Sequence, residues 1–112
     1  MPNIRVVEYL EASGRSPFAH WFNDLDTQSS AKITTALYRM ELGNFSNVKG
    51  VGSGVFEYRI DFGPGYRVYF GKDGETLVIL LGGSTKKRQS TAIATASSAW
   101  TDYKRRKKQL PT

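Results

Sequence analysis

From Val55 to Gly71 the chain reads VFEYRIDFGPGYRVYFG, and this stretch constrains the fold more than any other. Phe56, Tyr58, Ile60 and Phe62 alternate with Val55, Glu57, Arg59 and Asp61. One face of an extended segment is therefore apolar and the other mostly charged, the pattern of a half-buried strand. After Gly63-Pro64-Gly65 the alternation resumes, with Tyr66, Val68 and Phe70 on one side and Arg67 and Tyr69 on the other. Two such runs joined by a Gly-Pro-Gly reversal make a hairpin. With Phe62 opposite Tyr66, Ile60 faces Val68, Asp61 faces Arg67 and Arg59 faces Tyr69. Two arginines, two carboxylates and a tyrosine then share one open sheet face, either as ordinary cross-strand pairs or as a surface whose guanidinium forks suit phosphate oxygens.

The flanking segments supply what such a sheet packs against. Asn3 to Leu10 is rich in β-formers and reads as an opening strand. Ser16-Pro17 is a side-chain cap followed by a residue preset for the first helical turn. Phe18, Trp21, Phe22 and Leu25 follow at helical spacing. Asp26-Thr27 caps a second helix from about Gln28 to Leu42, with Ile33, Leu37 and Met40 inward and Gly43 as terminator. Two helices joined so tightly predict a helical hairpin on the sheet. Gly43 to Gly54 reads as a loop. Its Gly50-x-Gly52-x-Gly54 precedes a strand, whereas a dinucleotide fingerprint follows one. Asp73-Gly74 predicts a two-residue turn into the apolar strand Thr76 to Leu81, with Val68 pairing Ile79 and Phe70 pairing Leu77 on the core face. That strand is expected to lie inside the sheet, covered on both faces. A third helix is expected from about Lys87 to Tyr103, with Ile93, Ala96, Trp100 and Tyr103 along one side, and a basic tail from about 104 to 112. The fold class is thus α+β: a small, largely antiparallel sheet of an N-terminal strand and a three-stranded meander, packed on a helical hairpin with a C-terminal helix, in one domain over 1–112.

Several chemistries have no support. The chain has no cysteine and one histidine, so a disulfide framework, a thiolate nucleophile and a structural zinc site all lack ligands, and no metal or other cofactor is expected. His20 falls off its helix stripe and no Gly-x-Ser-x-Gly accompanies it. Gly82 to Arg88 (GGSTKKR) lacks the order of a phosphate-binding Walker loop. The sequon at Asn44 is without consequence in a chain expected to be cytoplasmic, because the N-terminus has no basic-then-apolar leader and Leu77 to Leu81 is too short to span a bilayer. Sixteen Lys and Arg against ten Asp and Glu give a net charge of +6, which favours polyanionic or acidic partners over a membrane.

The order of elements, together with SPFAHWFNDLD at Ser16 to Asp26, LGN at Leu42 to Asn44, VKGVGSGVFEYRIDFGPGYRVYF, and LVILLGG followed by Lys86 and Gln89, resembles the RelE/ParE toxin superfamily. The nearest branch is that of the addiction-module killer proteins related to HigB. The resemblance implies a RelE-like fold and the toxin of a type II toxin-antitoxin module, cleaving messenger RNA on the ribosome without a metal. Its partners would be the ribosome with its mRNA and an antitoxin whose acidic or amphipathic segment masks the basic face. Carried over by motif, the implied catalytic residues are Arg67, Arg59, Glu57 and Lys86. Lys49, Tyr69, Lys87 and Arg88 are the expected RNA-binding residues.

Cleavage by a neighbouring 2′-hydroxyl needs a proton acceptor, a cation for the phosphorane and help for the leaving oxygen. Arginine supplies charge but no base, which leaves Glu57, or a Lys86 whose neutral amine is favoured by neighbouring cations. Tyr69 can stack a base or donate to phosphate. Relatives of the resembled type often carry a tyrosine in the C-terminal helix, and Ser90 to Ala96 has none. Two other readings stay open: a ParE-like inhibitor of DNA gyrase, and a non-catalytic RNA or ribosome binder using the same face.

Overall fold

The computed structural model describes residues 3–109. Each helix of the expected hairpin starts where a side chain satisfies the first free backbone donors. The Ser16 hydroxyl accepts the Ala19 N–H at 3.0 Å and opens α1, Pro17–Asn23. The Asp26 carboxylate accepts the Ser29 N–H at 2.7 Å and opens α2, Thr27–Glu41. Gly43, at φ 85°, takes the left-handed conformation that ends α2.

Five strands form one sheet, β1 (Arg5–Glu8), β2 (Val48–Gly52), β3 (Val55–Ile60), β4 (Tyr66–Lys72) and β5 (Leu77–Thr85), in the order β1-β5-β4-β3-β2. All neighbours are antiparallel except β1, which runs parallel to β5. A short 3₁₀ turn, Lys86–Arg88, leads into α3, Gln89–Gln109. The architecture is the expected mixed α+β fold with a C-terminal helix, and β5 is an interior strand.

Four features depart from the expected pattern. Val48–Gly52 is a strand, where glycines point to a loop. It pairs with β3 through a bulge between Gly50 and Gly52. The β3–β4 turn occupies Asp61 to Gly65, closed by Gly65 N–H to the Phe62 carbonyl at 2.9 Å. That length moves the register by two, so Ile60 pairs Tyr66, Tyr58 pairs Val68, Arg59 pairs Arg67 and Glu57 pairs Tyr69. An even shift keeps each side chain on its face. The β4–β5 turn is longer than two residues, with Asp73 N–H donating to the Leu77 carbonyl at 2.9 Å. A register shift between Tyr69 and Phe70 adds to it, so Phe70 pairs Leu80 and Val68 pairs Gly83. This odd shift turns Leu77 and Ile79 to the face opposite Val68 and Phe70. Finally, Lys104 to Gln109 continues α3 and is not a tail; Leu110 to Thr112 lie outside the described residues.

Two cores result, one on each side of the sheet. The α1–α2 hairpin covers Tyr58, Tyr66, Val68, Phe70, Val78 and Leu80 with Phe18, Ile33, Ala36 and Met40. Helix α3 covers Val55, Tyr69, Ile79 and Leu81 with Ala96, Ala99 and Trp100. Each face seats one tryptophan on a glycine: Trp21 on Gly83 of β5, and Trp100 on Gly71 of β4. Close approach there is possible only because no Cβ intervenes. A Cβ on either glycine would fall inside contact distance of the indole ring.

Two tyrosine–aspartate bonds pin α3 to the sheet. Tyr9, just beyond β1, donates to Asp102 at 2.6 Å, and Tyr103 donates to Asp73 in the β4–β5 turn at 2.6 Å. Lys107 also pairs with Asp73. The Lys107 and then the Tyr103 hydrogen bond hold the Asp73 carboxyl below its ordinary range. Burial, then the bond to Asp73, pushes the Tyr103 phenol up to about 12.

Overpacking of a tight core typically costs about 1–3 kcal/mol. Gly71→Ala and Gly83→Ala are each expected to lose that much stability in chemical denaturation, whereas Gly74→Ala, with open space around it, is expected to lose only the cost of its left-handed backbone. The depressed Asp73 contributes stability that is present above the ordinary carboxylate value and lost as pH falls below about 4. The raised Tyr103 contributes stability present below about pH 10 and lost as pH rises to about 12. Tyr103→Phe is expected to cost about 1 kcal/mol at pH 7. Its deficit against the wild type, measured by denaturation at successive pH values, is expected to close between pH 10 and 12.

Candidate functional site

Strand pairing sets the site out in two rows on the face that carries α3. Lys49, Glu57, Tyr69 and Gly82 lie side by side across β2, β3, β4 and β5, and Arg59, Arg67 and Ser84 form the next row across β3, β4 and β5. Just beyond β5, the Lys86 N–H donates to the Gly65 carbonyl at 2.9 Å. Gly65, at φ 81°, has the Lys86 side chain and the Arg67 guanidinium as its nearest neighbours, so the turn, Lys86 and Arg67 meet at one point.

This face is not open. The start of α3 lies over it, leaving Glu57 and Tyr69 0% and Arg67 5% exposed. Gln89, the first residue of α3, donates its side-chain amide to Glu57 Oε2 at 2.7 Å. The other carboxylate oxygen, Oε1, stands 3.9 Å from Arg67 Nε, and neither atom has a hydrogen-bond partner. Arg67 Nη1 donates to the Tyr66 carbonyl at 3.0 Å. The Tyr69 hydroxyl lies 3.1 Å from Ser84 Oγ, which donates to the Thr85 carbonyl at 2.9 Å. Burial raises the Tyr69 phenol above its ordinary value. A base cannot stack on Tyr69, because both sides of its ring are inside the second core. The expectation of an RNA-stacking tyrosine is corrected here: Val55 and Tyr69 belong to the hydrophobic cluster under α3.

The remaining expected residues reach solvent. Arg59, Lys49, Lys86, Lys87 and Arg88 are all exposed. Arg88 also lines a small recess of about 210 Å³ with Gly83, Ser84, Thr91 and Ala92. The expected grouping of Arg67, Arg59, Glu57 and Lys86 is therefore brought together, but in two layers. Glu57 and Arg67 lie beneath, and Arg59, Lys86 and the 3₁₀ cations form the rim. Asp61 is not opposite Arg67. The corrected register puts two guanidinium-bearing residues directly opposite each other, a like-charge pair that destabilises a sheet unless an anion offsets it. One carboxylate, Glu57, faces Arg67 from the adjacent row.

Two participants were not expected from sequence. Gln89 holds Glu57, and Ser84 holds Tyr69. The spacing of Gln89 three residues after Lys86 is the trace of the first. Ser84 carries no comparable signal, since its role depends on a register set by the long β4–β5 turn. Among the described residues no cluster of His, Cys, Asp or Glu could hold a metal ion, and no helix is long and apolar enough to cross a membrane.

The model of the family described as Phage derived protein Gp49-like (DUF891) matches residues 20–104. An uncharacterized protein of Haemophilus influenzae (strain ATCC 51907 / DSM 11121 / KW20 / Rd) is 42% identical over 80 residues, covering 70% of this chain and 81% of the relative. These findings overturn the resemblance to the RelE/ParE superfamily and its HigB-related branch, since the matching family is a distinct one. The match runs from within α1 through β2, β3, β4 and β5 and into α3, and on that ground the chain belongs to the phage-derived Gp49-like family.

Proposed function

We propose that the face rimmed by Arg59 and Lys86 binds the phosphate backbone of RNA, and that the protein is an endoribonuclease toxin acting on messenger RNA during translation. The observation that carries this reading is the direct opposition of Arg59 and Arg67 across β3 and β4, with Lys86 beside Arg67 at the Gly65 turn and the Glu57 carboxylate 3.9 Å from Arg67 in the next row. Such a concentration of donors and positive charge is offset by a ligand phosphate better than by water.

The chemistry follows from the two layers. The 2′-hydroxyl attacks the adjacent phosphorus, its proton is removed, the 5′-oxygen leaves with a proton, and a 2′,3′-cyclic phosphate remains. Arg59 is the exposed guanidinium and takes the non-bridging oxygens, where charge grows in the transition state. Lys86, also exposed, is better suited than the sealed Glu57 to handle the protons at the 2′- and 5′-oxygens. Glu57, held by Gln89, holds Arg67 in place beneath the face, and the Arg67 guanidinium adds its positive charge from below. Lys49, Lys87 and Arg88 track the flanking phosphates.

The deciding experiment maps new RNA 5′ ends after a brief pulse of the protein in cells. Wild type is expected to give cuts within translated messages. Arg59→Ala and Lys86→Ala are expected to lower their yield about 100-fold while unfolding within about 0.5 kcal/mol of wild type, as exposed substitutions do. Undiminished cutting in both variants would overturn the site. Growth arrest with a DNA-damage response and no new ends would replace the reading with gyrase inhibition.

Binding to a single-stranded RNA oligonucleotide gives an independent check. Each of Lys49→Ala, Lys87→Ala and Arg88→Ala is expected to reduce the slope of log K against log salt by about 0.7, measured by fluorescence anisotropy at several salt concentrations.

A further inference from the structure

Between α2 and the end of β3 lies a recess of about 250 Å³, which shares Arg59 with the basic rim and otherwise draws on different residues. Helix α2 contributes Lys32, Thr35 and Arg39, Asn47 stands just before β2, and Tyr58 joins Arg59 from β3. Strand β2 does not extend this far. Val48 pairs Tyr58, the Arg59 N–H donates to the Asn47 carbonyl at 3.1 Å, and beyond that bond the edge of β3 has no strand beside it. Arg59 therefore borders both the basic rim and the recess. We infer that the recess is a nucleotide subsite, which holds the nucleotide next to the scissile phosphate of a bound RNA strand. The inference deepens the RNA reading and rests on it for the strand to which that nucleotide belongs.

Charge points to the phosphate. Lys32, Arg39 and Arg59 line the recess against one carboxylate, Asp61, and among the described residues none of the three cations is paired with a carboxylate. A concavity lined by one sign of charge draws in the opposite one. The two guanidinium groups add planar forks that match phosphate oxygens.

A buried hydroxyl points to the rest of the nucleotide. Tyr58 is 2% exposed, and its hydroxyl has no hydrogen-bond partner among the described residues. The other buried tyrosines each have one: Tyr9 bonds Asp102, Tyr66 bonds Ser29 and Tyr69 bonds Ser84. A buried phenol ordinarily finds a partner. Tyr58 packs in the core under α1 and α2 and also lines the recess, which is where a partner can enter. The Tyr58 hydroxyl and the Asn47 amide can each donate and accept, which suits a ribose hydroxyl or a base edge. Lys32 lies over the Phe62 ring at 5.2 Å, so that face is already taken and the base is held by its edge. Size agrees. A volume of about 250 Å³ corresponds to roughly eight waters at about 30 Å³ each, more than a bare phosphate fills.

Backbone amide signals of the full chain, followed by NMR as ribonucleoside 5′-monophosphates are added, test the inference. Saturable shifts at Asn47, Tyr58 and Asp61 are expected, with weaker binding of inorganic phosphate. Lys32→Ala and Arg39→Ala, which alter exposed side chains, are each expected to weaken the mononucleotide about 10-fold. Tyr58→Phe removes only the unpartnered oxygen and is expected to weaken it about 5-fold, with unchanged stability in denaturation. Lys104→Ala on α3 is expected to have no effect. A single-stranded RNA oligonucleotide is expected to displace the mononucleotide. Shifts confined to Gly65 and Lys86, indifference to the recess variants, or equal affinity for inorganic phosphate would overturn the subsite. So would an oligonucleotide that binds without displacing the mononucleotide, since the recess would then serve a free nucleotide. The nuclease reading fails separately: wild-type protein that makes no cuts in cells overturns that reading, while displacement by the oligonucleotide still leaves the recess a subsite for an RNA strand.

Discussion

A guanidinium on the central strand of a sheet covered on both faces is the constraint around which the rest is arranged. Every residue of β4 from Tyr66 to Gly71 is buried, and Arg67 is among them. An uncompensated buried charge costs several kcal/mol, so the neighbourhood of Arg67 is built from groups that answer it. Its own strand gives the Tyr66 carbonyl, and β3 gives the Glu57 carboxylate. The same carboxylate then requires a donor, which the start of α3 supplies through Gln89. The position of α3 over the face and the charge of Arg67 are thus two sides of one requirement. The pairing stops short of complete: Glu57 Oε1 and Arg67 Nε face each other at 3.9 Å without a hydrogen bond. Such under-satisfaction is uncommon in folded proteins and sits where Arg59 adds a second positive charge.

How much of this was legible in sequence depended on the range of the interaction. Helix starts at Ser16 and Asp26 are local contests between a side chain and a few backbone donors, and both were readable. The alternation of β3 and β4 was readable too, because the even register shift left faces unchanged. The length of each turn was not. Gly63-Pro64-Gly65 and Asp73-Gly74 mark reversals, but the backbone hydrogen bonds that close them also draw in Asp61, Phe62 and Leu77. A difference of two residues at one turn placed Arg59 against Arg67, and an odd difference at the other moved Leu77 and Ile79 to the opposite core. The grouping of Glu57, Arg59, Arg67 and Lys86 survived these shifts, while their exposure did not.

The covering of the second face was the least legible feature. The stripe of α3 includes Ala92, Ala96 and Ala99, small residues that carry a weak hydrophobic signal and yet allow a helix to approach a sheet closely. Trp100 over Gly71 works by the same economy of volume, which pattern reading scores as a poor strand residue in β4. The lysines and arginines of residues 104–108 read as a solvated tail because nothing in their spacing shows that Tyr9 and Asp73 hold the helix beneath them.

The parallel pairing of β1 with β5 has a consequence for how the chain acquires its structure. Arg5 is in register with Leu77, seventy-two positions away, and β5 is its strand neighbour in the sheet. At synthesis rates of about 5–20 residues per second, β1 waits seconds in the nascent chain before its partner exists. The α1–α2 hairpin can form locally in that interval, but the sheet face that buries Phe18, Ile33 and Met40 is made of strands that follow it. Until the meander emerges, those side chains stay accessible to chaperones and proteases. Strand β1 is made before the strand it pairs with, and its place in the sheet waits on β5.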